Sequence, residues 1–185
     1  IQLSLSHNKV NHISIDSLYI LEFLDLSFNK ISSITTEFKN LTKLTRLKLD
    51  NNHIVKFSFA SFLKNDKHLL LSLANNQLRR LNLEPIKSSA TNITFILHGN
   101  PWNCQCFDKM ARILHNSTPL LRQAMCDMEV FSTGVLPYCV VLKSYRDKCT
   151  DDRLPRKLLD NFRKSSSKKD FCQSTFYYKQ IALVK

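Results

Sequence analysis

Phe23-Leu24-Asp25-Leu26-Ser27-Phe28-Asn29-Lys30-Ile31 and Arg46-Leu47-Lys48-Leu49-Asp50-Asn51-Asn52-His53-Ile54 share one pattern: an asparagine with leucines at minus three and minus five and isoleucine at plus two. Three further stretches repeat it with other aliphatic or aromatic residues in some of those places, Leu3–Val10, Leu70–Leu78 and Thr94–Trp102, around Asn8, Asn76 and Asn100. The five asparagines recur every 21 to 24 residues. Leu24 and Leu26, Leu47 and Leu49, and Leu71 and Leu73 alternate at period two, so each pair points inward from one short strand while the residues between face out. Each asparagine is placed to satisfy backbone groups where the chain turns off the strand. A single such coil cannot bury its apolar face alone, so the coils must stack.

Over residues 1–100 the chain resembles leucine-rich-repeat proteins. The resemblance implies an α/β solenoid of about five coils with a parallel sheet on its concave face. The fuller family pattern places apolar residues on the far side of each coil, and Ile34, Phe38, Leu41, Phe57, Phe62, Leu81 and Ile86 fill it. His68 and Asn92 stand where Leu21 and Leu44 stand in their own coils. The fourth and fifth coils are therefore expected to enter their strands loosely.

The run Asn100-Pro101-Trp102-Asn103-Cys104-Gln105-Cys106 is similar to the opening of the cysteine-rich cap that closes such arrays in extracellular proteins. A stacked array ends in an apolar edge that a cap must cover, and Trp102, the only tryptophan, suits that contact. Phe107, Met110, Ile113 and Leu114 have helical spacing and predict a short cap helix, with Asp108 near its start. The resemblance implies a disulfide-bonded cap over residues 101–150, with Cys104 paired to Cys126 and Cys106 to Cys139 or Cys149. Cys149 lies nearer the family spacing, which leaves Cys139 and Cys172 to pair with each other or with another chain. All six cysteines follow residue 100, and they point to an oxidising compartment. They lack the second close pair, and the histidines the spacing, of a metal site. No metal or other cofactor is implied.

The chain has 185 residues and a net charge of +12. Twelve cations face seven carboxylates in residues 1–100, and fifteen face eight in the remainder. Such a surplus attracts anions, but no aromatic-basic stripe marks a nucleic-acid module. Nor does any stretch approach the length of apolar run that spans a membrane. The tail, residues 151–185, holds Arg153, Arg156, Lys157, Arg163, Lys164, Lys168 and Lys169. Leu154, Leu158, Leu159 and Phe162 give it one apolar face, predicting a basic amphipathic helix near residues 152–164 that Ser165-Ser166-Ser167 interrupts. Asp151-Asp152 then read as its capping residues. The helix either associates with a partner or anionic surface, or packs on the cap. A strand at the very first residues, with no signal peptide, reads as a piece of a longer extracellular chain whose open first coil invites self-association.

No His-Glu-x-x-His, phosphate loop or nucleophile elbow accompanies the six histidines, so the expectation is a binding protein and not an enzyme. His7 and His98 read as surface residues beside the repeat asparagines. Family resemblance divides the options between extracellular innate-immune sensors, similar to Toll-like receptors or the insect leucine-rich-repeat immune proteins, and adhesion, matrix or shed-receptor proteins. A protein or a microbial surface molecule is the expected ligand. Outward positions form two columns, Gln2, Phe23, Arg46, Leu70 and Thr94 beside Ser4, Asp25, Lys48, Ser72 and Ile96. Phe23, Asp25, Arg46, Lys48 and Leu70 are the candidate contact residues. Asn40, Asn92 and Asn116 head glycosylation sequons; Asn40 and Asn116 are the better placed, since Asn92 sits where Thr94 turns to the concave surface.

Overall fold

Inward leucines at every second position require strands that stack coil on coil, and the computed structural model has that arrangement. It describes residues 1–13, 19–34, 41–59, 68–83, 85, 93–104, 106, 110, 138–142, 153–166 and 179–183. Five strands, β1 (Gln2–Ser4), β2 (Phe23–Asp25), β4 (Arg46–Lys48), β6 (Leu69–Ser72) and β7 (Ile93–Ile96), form one parallel sheet in that order. A second, flanking ladder joins β3 (Ser33–Ile34) to β5 (Lys56–Phe57). The register pairs Gln2 with Phe23, Phe23 with Arg46, Arg46 with Leu70 and Leu70 with Thr94, which are the columns that the repeat spacing predicts.

Between sheet and flank, Leu24, Leu26, Leu47, Leu49, Leu71, Leu73 and Phe95 form one continuous core. Ile34, Leu41, Phe57 and Leu81 line its far side as expected, whereas Phe38, Phe62 and Ile86 lie outside the described residues. Burying each aliphatic side chain stabilises the fold by about 1.5–3 kcal/mol.

The asparagines tie neighbouring coils together. Asn76 accepts the Ile54 N–H at 3.0 Å and donates to the carbonyls of Leu49, Leu73 and Ala74. Asn29, Asn52 and Asn100 repeat this set in their own coils. The residue before each asparagine is left-handed: His7, Phe28, Asn51, Asn75 and Gly99 have φ of 58, 56, 56, 53 and 69°. Gly99 also has no room for a Cβ, which would stand 2.0 Å from Asn75 Oδ1.

The fourth and fifth coils do not enter their strands loosely. β6 and β7 each have four residues against three in β2 and β4. Leu69 and Ile93, one position later than Leu21 and Leu44, are the buried residues that start them. A shift by one moves the apolar anchor onto the strand itself and lengthens the ladder.

Trp102 takes the core position that Ile31, Ile54 and Leu78 hold in earlier coils. It is fully buried, and its Nε1–H donates to the Leu97 carbonyl at 3.0 Å. From there β8 (Trp102–Asn103) continues the flank, since the Asn103 N–H donates to the Arg79 carbonyl. Two further parallel strands follow, β9 (Tyr138–Leu142) and β10 (Lys179–Leu183), in the order β10-β9-β8. The strand at 179–183 lies in the stretch that the sequence read as basic tail. Cys104 and Cys106 are buried and disulfide-bonded, and Met110 is helical and buried in the main core. The rest of the predicted cap helix, Asp108, and the pairings foreseen for Cys126, Cys139, Cys149 and Cys172 lie outside the described residues or contacts.

The basic helix forms at α1 (Arg156–Ser166), beginning and ending later than predicted. Pro155 explains the start, because proline disfavours helical geometry in Leu154 before it and suits the first turn; the Leu159 N–H donates to its carbonyl. No acidic residue falls in that turn and the helix runs into the serines, while Asp151-Asp152 lie outside the described residues. Leu154, Leu158, Leu159 and Phe162 are buried with Val140 in a second core. No helix among the described residues is long and apolar enough to cross a membrane.

Candidate binding surface on the main sheet

In β2 and β4 the inward leucines are buried while their neighbours reach the outward face, and this alternation assembles the candidate site. Phe23 is half-buried, with the Arg46 guanidinium 5.7 Å and the Lys48 ammonium 5.8 Å from its ring centroid. Lys48 Nζ also lies 3.7 Å from Asp25 Oδ2. These three contacts are partly exposed, each worth up to about 1 kcal/mol. They hold two cations over one aromatic ring instead of leaving them to extend into water. Asp25 is further fixed by the Ser27 N–H and hydroxyl, which donate to its Oδ1 at 2.9 and 2.6 Å. The structure thus brings Phe23, Asp25, Arg46 and Lys48 together, with Leu70 next in the column and half-buried.

The outward face changes character toward the last coils. Ser72 and Thr94 are buried, and the Thr94 hydroxyl lies 2.7 Å from His68 Nε2. Thr94 is therefore not the open concave position that the repeat spacing suggested. Ile96 and His98 are half-buried.

A third column, Ser6, Ser27, Asp50, Ala74 and His98, was not singled out in the sequence although the same spacing contains it. Asp50 accepts the Ala74 N–H at 3.0 Å and the Ser72 hydroxyl. Burial pushes its carboxyl above the ordinary value, outweighing those two hydrogen bonds and the pull of Lys48. Burial likewise lowers the affinity of His98 for a proton, so it is not the surface residue expected, whereas His7 is exposed. Past this column, His7 stacks on Phe28 with ring centroids 4.2 Å apart and planes 11° from parallel. Phe28 is 47% exposed despite its aromatic ring.

Among the described residues there is no cluster of three or more metal-ligating side chains. The sequon asparagines Asn40, Asn92 and Asn116 lie outside the described residues.

Residues 21–65 match the family described as leucine rich repeats, in two copies. That stretch contains β2 to β5 and four of the five candidate contact residues, and it identifies these coils as leucine-rich repeats. No curated protein matches the chain.

Proposed function

We propose that this protein is a secreted or cell-surface recognition module that works by binding and not by catalysis. Its partner is a protein held on the outward face of the main sheet, and the setting is innate immunity. Leucine-rich repeats commonly mediate protein recognition, and a curved stack offers an extended binding face. The observation that carries the reading is the Phe23 ring under Arg46 and Lys48, with Asp25 beside it. An aromatic and an arginine set among held charges has the composition of an interface hot spot. Disulfide-bonded Cys104 and Cys106 support an oxidising, extracellular location and a disulfide-bonded cap after Asn100. An extracellular adhesion or matrix scaffold, or a shed receptor ectodomain, is the alternative that the same surface allows; a microbial surface molecule is the alternative ligand.

The test starts with affinity capture from extracellular fluid on the immobilised chain, with identification of the retained molecule. Phe23→Ala and Arg46→Ala are then combined and the affinity for that molecule is measured beside the melting temperature. The reading expects a binding loss above about 1 kcal/mol with little change in melting. Unchanged binding by the double variant sinks it.

A further inference from the structure

The flank opposite the candidate sheet surface carries a crevice of different chemistry. Where the chain segment 153–163 passes β5 and the following coil, two hollows of about 320 and 520 Å³ open. Consecutive residues Arg153 and Leu154 each line one of them, as Val55 and His53 do on the array side, so they adjoin as one crevice. Apolar residues lie at its floor, Val55, Leu154 and Leu159, themselves largely buried, with Ser32, Ser33, His53 and Gln77 beside them. Its walls are basic: Lys56 and Arg153 bound one hollow, Arg156 and Arg163 the other. Among the described lining residues Asp160 is the one carboxylate, and it lies 3.7 Å from Arg163 within the helix.

We infer that this crevice receives an acidic segment of a protein partner, one that alternates carboxylates with aliphatic side chains. Charge complementarity selects an anion, and the exposed Arg153 and Arg156 supply bidentate partners for carboxylates. The apolar floor selects among anions. A sulfated polysaccharide has no aliphatic side chain to place on Val55, Leu154 and Leu159. A nucleic acid binds through stacking of successive bases on several aromatic rings as well as charge, and among the described lining residues His53 is the one aromatic ring. An anionic membrane needs apolar side chains that protrude, whereas Leu154 and Leu159 lie recessed at the floor of the crevice. The surface is separate from Phe23 and its neighbours, so the inference stands or falls independently of the sheet-face reading.

The test uses the whole chain and a labelled synthetic peptide of repeated Glu-Glu-Leu units, with a Glu-Glu-Ser peptide and a heparin-derived oligosaccharide as comparators. Binding is followed by fluorescence anisotropy at two salt concentrations. The leucine peptide binds most tightly, and more weakly at high salt. The combined variant Arg153→Ala and Arg156→Ala lowers its affinity by roughly ten-fold, while circular dichroism melting stays unchanged because both side chains are exposed. Three outcomes overturn the inference: no binding of the leucine peptide, equal binding of the serine peptide or the oligosaccharide, or a variant that binds as the parent does.

Discussion

The first two coils and the last two are built on one pattern, yet the structure uses them differently. Their asparagines act alike, since Asn29, Asn76 and Asn100 are all buried and bond across to the preceding coil. The left-handed position holds His7 and Phe28 at one end, and Asn75 and Gly99, which adopt it readily, at the other. Outward positions follow the same trend, from charged and accessible at Asp25 and Arg46 to buried at Ser72 and Thr94. The outward chemistry of a repeat array can therefore change from coil to coil while the asparagine ladder that holds the coils stays the same.

The strongest way to break this comparison is to exchange asparagine for alanine at both ends. Asn76→Ala strands the Ile54 N–H and three carbonyls, an expected loss on the order of 3 kcal/mol. Asn29→Ala should lose about as much, because it strands the Val10 N–H and the carbonyls of Leu5, Leu26 and Ser27 in the same way. Urea denaturation of the two variants measures both losses, and a loss at Asn29 far below that at Asn76 would show that the ladder is not shared evenly.

Gly99→Ala is next. It adds a Cβ against Asn75 Oδ1 at a left-handed φ, and a loss of about 1–3 kcal/mol is expected. Adding Asn75→Ala should recover part of it, since the nearest clashing atom belongs to that side chain. A double variant no more stable than Gly99→Ala would show that backbone strain alone sets the effect.

The third column sharpens the comparison through pH, since its two ionisable members titrate with opposite consequences. Asp50 has a raised folded-state pKa, so its buried charge opposes folding at neutral pH; that opposition is relieved as pH falls through the raised value toward the ordinary 3.8. Asp50→Asn should therefore be more stable than the parent at neutral pH, with the gap closing in acid. His98 has a lowered folded-state pKa, so its contribution is complete above 6.5 and is lost as pH falls below that value. His98→Gln should flatten the stability profile just below 6.5. Thermal melts across that range test both signs. The smallest stability effect is expected at the sheet surface, where Phe23→Ala with Arg46→Ala should shift melting little while weakening partner binding.

The asparagine period by itself determined the five-stranded sheet, its register and its core, because apolar residues at minus three, minus five and plus two leave each coil only one way to bury them. It also determined that Phe23, Asp25, Arg46, Lys48 and Leu70 share one surface, since register follows from spacing. The apolar stripe of the basic helix was legible too, from its 3.6-residue period. Only tertiary structure decided that Leu69 and Ile93 replace the missing anchors at His68 and Asn92, that Thr94 is buried, and that β10 returns to pair with β9. It alone decided that α1 turns its leucines into a second core and its arginines toward a crevice. Local spacing fixes what repeats, because each coil meets a copy of itself. After Asn100 the chain meets unlike segments, and there pairing depends on contacts between residues far apart in sequence, which periodicity does not encode.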